Sequence, residues 1–293
     1  MVPPPEIREL RELTRYRKTQ VNARGQEIQR LEKVLQDACI KITSVASQVW
    51  SKSSREIIEA LIAGEHDPLV LAQMAKGTMR KKISALEEAL DGHFSAHHGF
   101  MCRKIIDHID FLDSSIAELT NEITSMLSDS SPQVDILSSM PGVSTTTAQV
   151  IIAETGGDMS KFPTPGHLCS WAGVAPANYE SGGKRRPAGT RHGSPWLRRT
   201  LIESARAAAR TKGTYFSAQY SRIARRRGPN KAAVAVANSM LATAWYLLTN
   251  GALYDDPGAD YFLRHNDPDV EVKRLSKKIE TLGYSVTTIH KVA

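Results

Sequence analysis

Cysteine is scarce in this chain of 293 residues, which contains only three. Cys39, Cys102 and Cys169 are far apart, odd in number and without a CxxC pair. They provide neither a disulfide framework nor a cysteine zinc site. The amino terminus also lacks the basic and apolar segments of a secretory signal. These absences predict a reduced, cytoplasmic setting.

Long apolar runs are also lacking. The longest, from Ala232 to Leu248, is interrupted by Asn238, Ser239 and Thr243. It falls short of the roughly 20 apolar residues that a bilayer span needs. The run therefore predicts a buried helix, and no membrane partner is expected.

Acidic residues are nearly absent from one stretch of the chain. Between Lys184 and Lys231 there are fourteen lysines and arginines and a single acidic residue, Glu203, which gives a local charge of +13. Because the whole chain carries +7, the remainder must carry −6. Residues 184–231, the basic stretch, therefore predict a surface for an acidic partner such as a phosphate backbone. A membrane surface fits the same charge, and that alternative predicts lipid binding that survives loss of the basic loop.

The patterning predicts a mainly α fold with two domains. A first helix begins at three prolines and has a heptad a/d seam, in which arginine takes two d positions: Ile7, Leu10, Thr14, Arg17, Val21, Arg24, Ile28, Leu31 and Leu35. A later helix, from about Gly99 to Leu127, has an apolar stripe at spacings of three and four. The two helices are expected to pair as an antiparallel hairpin or coiled coil.

A breaker cluster, Ser128-Asp129-Ser130-Ser131-Pro132, marks the predicted domain boundary. Residues 1–130 are expected to form a helical coiled-coil and dimerisation region. Residues 131–293 are expected to form a second helical domain, which contains the basic stretch.

A helix-hairpin-helix-like element opens the second domain. Gly142 and Ser144 lie in a turn between two apolar segments. Such a turn presents backbone N–H groups that can hold a DNA phosphate without reading its sequence. The usual element has a second glycine where this chain has Ser144, which can instead be the N-cap of the following helix. An ordinary helix–helix turn without DNA contact is therefore the alternative.

Ser181 is the candidate nucleophile, because Gly182 and Gly183 follow it and leave its surroundings sterically open. The cations expected to bind nucleic acid are Lys184, Arg185, Arg186 and Arg191, with His192, and then Arg198 and Arg199 on the next helix. An exposed hydroxyl among such cations can attack a phosphodiester, since positive charge stabilises the phosphorane. The alternative is a flexible phosphate-binding loop with no covalent step. Ser194, directly before Pro195, is instead expected to cap a helix.

Together these motifs resemble the transposase module of the Piv-invertase-like insertion-sequence transposases, the DEDD group often called the one-ten family. The resemblance runs from Ile136 to about Leu248, and the amino-terminal helices resemble the coiled-coil region that precedes the module. Its motifs are Pro141-Gly142-Val143, Ala153-Glu154-Thr155-Gly156, Phe162-Pro163, Trp171-Ala172-Gly173, Ser181-Gly182-Gly183-Lys184 and Trp196-Leu197-Arg198.

The resemblance implies a DNA transposase or site-specific recombinase that cleaves and transfers strands through a covalent phosphoserine at Ser181. It also implies a guide RNA partner, the bridge RNA, and dimers that pair into a tetramer. The family's RuvC-like domain, whose Asp-Glu-Asp-Asp carboxylates bind magnesium, should precede the coiled coil, whereas this sequence starts at Met1-Val2-Pro3. No cofactor is therefore expected on this chain, and Mg²⁺ is expected only with that domain. The alternative function is a truncated, non-catalytic nucleic-acid-binding fragment, or a regulator that pairs with full-length transposase.

Two clusters of potential metal ligands have simpler interpretations. The first is a set of aspartates beside the apolar face of one helix: Asp107, Asp110 and Asp113. They are expected to be solvated charges. The second is a set of histidines that has no carboxylate or third ligand placed with its i, i+4 pair: His93, His97 and His98. A surface or helix-capping role is expected for them, so the sequence predicts no metal site.

Overall fold

The computed structural model describes residues 3–177, 180–185, 189–264 and 268–285. Helices make up most of these residues, as the patterning predicted, and one two-stranded hairpin is the only sheet among them. The chain divides into two compact units. The first unit comprises Glu12–Met126, and the second comprises Met1–Arg11 together with Leu127–Ala293.

Five helices contribute to the first unit, all of whose residues the structure describes. They are α1 (Pro5–Asp37, whose first turns belong to the second unit), α2 (Lys52–Ile62), α3 (Pro68–Gln73), α4 (Ile83–Leu90) and α5 (Ala96–Met126). Side chains cap two of them, because Ser51 accepts from the Ser54 N–H and Asp67 accepts from the Leu69 N–H. The core is formed by branched aliphatic residues that are almost fully buried, including Leu31, Leu35, Ile57, Ile106 and Ile109.

Helices α1 and α5 run antiparallel, as the heptad seam and the apolar stripe predicted. Arg17 Nε donates to Thr120 Oγ1 at 2.6 Å, and Arg24 Nη1 donates to Asp113 Oδ1 at 2.5 Å. The later residue of α1 thus pairs with the earlier residue of α5, which is the order expected for antiparallel helices. These are the two arginines at d positions, and each reaches a polar group on the facing helix. Polar residues in a helix seam fix its register. A coiled coil between copies of the chain stays a prediction.

The second unit contains the remaining helices and both strands. They are α6 (Ser131–Ser138), α7 (Thr145–Thr155), α8 (Pro165–Trp171), β1 (Glu180–Ser181), β2 (Lys184–Arg185), α9 (Pro195–Ala208), α10 (Tyr215–Arg227), α11 (Pro229–Asn250), α12 (Tyr261–Arg264) and α13 (Pro268–Thr281). Ser128–Ser130, from the breaker cluster, form a short 3-10 turn between α5 and α6.

Helix α11 is the central helix of the second unit and packs against α6, α8, α9 and α10. Its buried face carries small and apolar side chains: Ala232, Ala233, Val236, Ala237, Met240, Leu241, Ala244 and Leu247. By length and composition alone, α11 is apolar enough to cross a membrane, and it is the one such helix in the described part of the chain. The buried helix predicted between Ala232 and Leu248 is confirmed, because this face lies in the core of the unit.

Candidate nucleic-acid interface

Ser181 lies at the tip of the β-hairpin formed by β1 and β2. The strands are antiparallel, and the residue opposite Ser181 is Lys184. Between them Gly182 and Gly183 have φ angles of +58° and +73°. Positive φ at both central residues is the mark of a type I′ turn, which glycine adopts without steric cost and whose twist matches the strands. A Cβ atom added at either glycine would meet no atom within 4 Å, so the space around the turn is open.

The base of the hairpin is held by two glycines that bring backbones into direct contact. A Cβ at Gly193 would lie 2.4 Å from both the carbonyl carbon of Ala172 and the nitrogen of Gly173. A Cβ at Gly173 would lie 2.8 Å from the nitrogen of Gly193. Pro176 and Thr190 then form an antiparallel bridge. Only glycine allows so close an approach. No sequence pattern predicted this role for Gly173 and Gly193, because glycine also marks ordinary loops.

Ser194 caps α9, as its position before Pro195 predicted. Its Oγ accepts from the Leu197 N–H at 3.3 Å and donates to Glu154 Oε2 at 2.9 Å. Glu154 lies on α7 and is only 2% exposed. This buried carboxylate therefore ties the end of α7 to the start of α9, directly after the hairpin. In the sequence, the only sign of this polar contact in the core was that Glu154 lies in an otherwise apolar helix.

Gly142 and Ser144 have packing roles in the turn between α6 and α7. Gly142 has a φ of +82°, and a Cβ there would lie 2.5 Å from both the Ala208 nitrogen and the Ser204 carbonyl oxygen of α9. Ser144 Oγ accepts from the Thr147 N–H at 3.2 Å, so it is the N-cap of α7. The turn thus contacts α9 and starts α7. DNA contact at Gly142 and Ser144 stays a prediction.

The other candidate residues lie on the hairpin, the loop that follows it and α9. Four of them are exposed: Lys184, Arg191, His192 and Arg199. Arg198 is half-buried. The backbone of Arg185 pairs with Glu180, and Arg186 lies outside the described residues. The structure therefore places most of these cations on neighbouring parts of the second unit.

The basic stretch adds further exposed cations along α9, α10 and the start of α11. They are Arg206, Arg210, Lys212, Arg225, Arg226, Arg227 and Lys231. Within the described ranges, none of these cations forms an ion pair with a carboxylate. In the first unit, by contrast, Arg24, Arg55 and Arg103 each pair with an aspartate or glutamate. Positive charge without carboxylate partners raises the surface potential and attracts an external polyanion.

The two clusters of potential metal ligands have other partners in the first unit. Arg55 donates to both carboxylate oxygens of Asp110 at 2.6 Å, and Asp113 accepts from Arg24. Asp107 and Asp110 are exposed and Asp113 is partly exposed, which agrees with the expectation of solvated charges, and two of these carboxylates also form surface ion pairs. His98 Nδ1 accepts from the Ser95 N–H, which confirms its capping role. The part of the chain that the structure describes contains no group of three His, Cys, Asp or Glu residues that could hold a metal ion.

Cys169 does not compete with Ser181 as a nucleophile. It lies on α8 with 2% exposure, and its Sγ donates to the Asn238 carbonyl at 3.4 Å. Burial raises the pKa of the Cys169 thiol to about 11. The thiol is therefore protonated at neutral pH, and only the thiolate is a strong nucleophile.

Comparison with known proteins gives a consistent set of relatives. Residues 134–221 match the family model described as Transposase IS116/IS110/IS902 family. A probable family 20 transposase of Pseudomonas aeruginosa is 28% identical over 160 residues, which cover 53% of this chain and 47% of the relative. The insertion element IS110 uncharacterized 43.6 kDa protein of Streptomyces coelicolor is 33% identical over 144 residues, which cover 47% of this chain and 34% of the relative.

A third relative is the transposase for insertion sequence element IS1111A of Coxiella burnetii. It is 35% identical over 120 residues, which cover 40% of this chain and 33% of the relative. The chain thus spans between a third and a half of the length of these three proteins. The matched segment, residues 134–221, contains the hairpin, the buried carboxylate and α9. Residues 134–221 of this chain are therefore similar to the domain that the IS116/IS110/IS902 transposase family model describes.

Proposed function

We propose that this chain is the nucleic-acid-handling part of a DNA transposase, in which the basic stretch holds DNA and Ser181 attacks the scissile phosphodiester. The observation that carries the proposal is the set of exposed cations on the hairpin loop, α9 and α10 that have no carboxylate partner among the described residues. Each phosphate that such a cation neutralises releases a counterion, which favours binding at low salt. The match of residues 134–221 to a transposase family supports DNA as the polyanion.

The hairpin geometry supports a covalent step at its tip. The open space around Gly182 and Gly183 leaves room for a sugar–phosphate backbone to approach Ser181. Lys184 is exposed and is the cross-strand partner of Ser181, so a cation lies beside the hydroxyl-bearing residue. In this step the bond from Ser181 Oγ to phosphorus forms and the bond from phosphorus to the departing sugar oxygen breaks. The serine proton ends on the released sugar hydroxyl, and positive charge stabilises the transition state.

A guide RNA and self-association complete the proposal. The cations are spread over the hairpin loop, α9, α10 and the start of α11, which leaves surface for RNA beside DNA. For self-association, α1 and α5 expose three large side chains, with Tyr16 53%, Phe100 60% and Phe111 67% exposed. Exposed aromatic surface of this kind is typical of protein–protein contacts. We expect Phe111→Glu to lower the mass measured by sedimentation equilibrium, with Leu69→Glu, at an exposed apolar residue of α3, as the matched control.

The decisive experiment traps a covalent protein–DNA adduct. The chain is incubated with end-labelled target DNA, guide RNA and full-length relative transposase, then denatured and separated by mass. We expect labelled DNA to co-migrate with this chain, and Ser181→Ala to abolish the adduct. Ser221→Ala, which removes an exposed hydroxyl from α10, should leave the adduct intact. An adduct that persists in Ser181→Ala contradicts the nucleophile assignment. Binding without any adduct favours the non-catalytic alternative.

A salt series tests the binding surface separately. The logarithm of the DNA association constant should fall linearly with the logarithm of salt concentration. Arg225→Ala removes one exposed cation and should reduce the slope by about one unit. Lys33→Ala, on α1 of the first unit, should leave the slope unchanged. Binding that does not depend on salt would contradict phosphate recognition by the basic stretch.

A further inference from the structure

A cleft of about 610 Å³ opens within the second unit, beside the base of the hairpin. Its walls come from α9, α10, α11 and the residues next to the Pro176–Thr190 bridge. The volume lies within the range of about 300–1,000 Å³ that is usual for small-molecule and cofactor sites. The attack by Ser181 does not use the interior of this cleft, so the cleft requires an explanation of its own.

The floor of the cleft is apolar. The apolar lining comes from Val234 and Ala235 of α11 and from Val174 and Pro176. Val234 and Ala235 are only partly buried. Apolar side chains that line a cleft suit a flat aromatic ring, which gains burial against them.

One amide that lines the cleft has an unused acceptor. Gln219 of α10 donates from Nε2 to Ser239 Oγ at 2.8 Å. Its Oε1 is buried and has no hydrogen-bond partner in the part of the chain that the structure describes. A buried polar atom without a partner costs free energy unless a ligand satisfies it. A carboxamide presents a donor and an acceptor side by side, which matches the edge of a nucleobase.

The rim of the cleft supplies sites for phosphate. The Arg198 side chain lines the cleft and forms no hydrogen bond or ion pair with the described residues, and Lys231, which also lines the cleft, is exposed. Lys231 lies in the first turn of α11, whose N-cap, Gly228, has no side chain to satisfy the free N–H groups. Free N–H groups at a helix start and two cations together favour a phosphate diester.

The cleft is also close to the residue proposed to attack DNA. Pro176, on the cleft wall, and Ser181 are five residues apart, so their Cα atoms are at most roughly 18 Å apart along an extended chain. One strand of duplex DNA advances about 3.4 Å per phosphate. A nucleotide in the cleft would therefore lie within about five nucleotides of a phosphate at Ser181.

We propose that this cleft receives one unpaired nucleotide, with its base against the apolar lining, its hydrogen-bonding edge on Gln219 and its phosphates at Arg198 and Lys231. A base within a duplex cannot enter, because its faces are stacked and its edge is paired; it must be unpaired or turned out of the helix. The inference rests on the proposed function and adds to it the state of the nucleic acid that the chain recognises.

The test compares two labelled duplexes by fluorescence anisotropy at one salt concentration. One is fully paired, and the other has a single unpaired base at its centre. We expect the full chain to bind the second about tenfold more tightly, which corresponds to about 1.4 kcal/mol. The same pair is prepared in DNA and in RNA. A preference confined to one sugar type supports the cleft and identifies which strand fills it.

Two variants of the cleft and one control decide the assignment. Ala235→Phe fills the floor, and Gln219→Met removes the amide while keeping the length of the side chain. Each should reduce the preference to less than about threefold, with the affinity for paired duplex unchanged within about twofold. Arg226→Ala, exposed on α10 outside the cleft, should weaken both duplexes by the same factor.

The outcomes separate this inference from the proposed function. Equal affinity of the parent chain for both duplexes overturns the cleft assignment and leaves the proposed function standing. A preference that survives in Gln219→Met also overturns it, and this variant decides alone if Ala235→Phe does not fold. Failure of the parent chain to bind any duplex contradicts the proposed function itself.

Discussion

Replacement of Gly193 by alanine should destabilise the second unit, because the new methyl group has no space at the base of the hairpin. Its Cβ would lie 2.4 Å from the Ala172 carbonyl carbon, 2.4 Å from the Gly173 nitrogen and 2.6 Å from the Ala172 carbonyl oxygen. All three are backbone atoms, so no flexible side chain can move aside. One methyl group forced into a packed site costs about 1–3 kcal/mol, and a backbone contact belongs at about 3 kcal/mol. For a unit of this size that cost lowers Tm by about 6–12 °C.

Tryptophan fluorescence measures this effect in the second unit alone. In a Trp50→Phe background the remaining tryptophans, Trp171, Trp196 and Trp245, all belong to that unit. Urea unfolding of the chain then gives the free energy of unfolding for parent and variant. Gly189→Ala is the matched control, because a Cβ at this position of the same loop meets nothing within 4 Å. It should change the free energy by no more than about 0.5 kcal/mol. If Gly193→Ala matches this control, the backbone contact is not a constraint and the reasoning fails.

Three further outcomes follow from other residues. Cys39 is exposed and has a φ of +61°, a left-handed conformation that favours glycine. Cys39→Gly should therefore raise the free energy of unfolding by about 1 kcal/mol, whereas Cys39→Ser should not, and thermal denaturation measures both. At pH 8 iodoacetamide should modify Cys39 first, because burial raises the pKa of both the Cys102 and the Cys169 thiol to about 11; equal rates by mass spectrometry would refute this. Ser194→Ala removes a helix cap and a donor to Glu154 and should cost about 1–3 kcal/mol in urea unfolding, and a smaller loss with Ser194→Thr would support the hydroxyl as the cause.

The periodic features of the sequence predicted much of the fold. The seam of α1 and the stripe of α5 predicted an antiparallel pair of helices, and the apolar run from Ala232 to Leu248 predicted the buried helix α11. Periodicity works here because each helix buries one continuous face. It also indicated that Arg17 and Arg24 interrupt the seam. Their partners on α5 were not predictable, since ion pairs depend on which helices become neighbours in space.

The candidate site was predicted less completely. Charge and glycine pattern located Ser181 and the basic stretch, and the N-cap rule located Ser194. The contact between Gly173 and Gly193 joins residues twenty positions apart, and no local rule distinguishes it from two flexible loops. The contact of Glu154 was not predictable, because a carboxylate in an apolar helix has no expected partner until the fold brings Ser194 to it.

The type I′ turn at the hairpin tip has a consequence for how this domain tolerates mutation. No atom lies within 4 Å of the positions that a Cβ on Gly182 or Gly183 would take, so the turn keeps its shape through its own dihedral preferences. Substitutions of Ser181 or Lys184 should therefore alter chemistry at the tip without lowering the free energy of unfolding. Below the Pro176–Thr190 bridge the opposite holds, because backbone contacts at the base determine folding. That bridge is thus a boundary between residues that can diversify and residues that the fold requires.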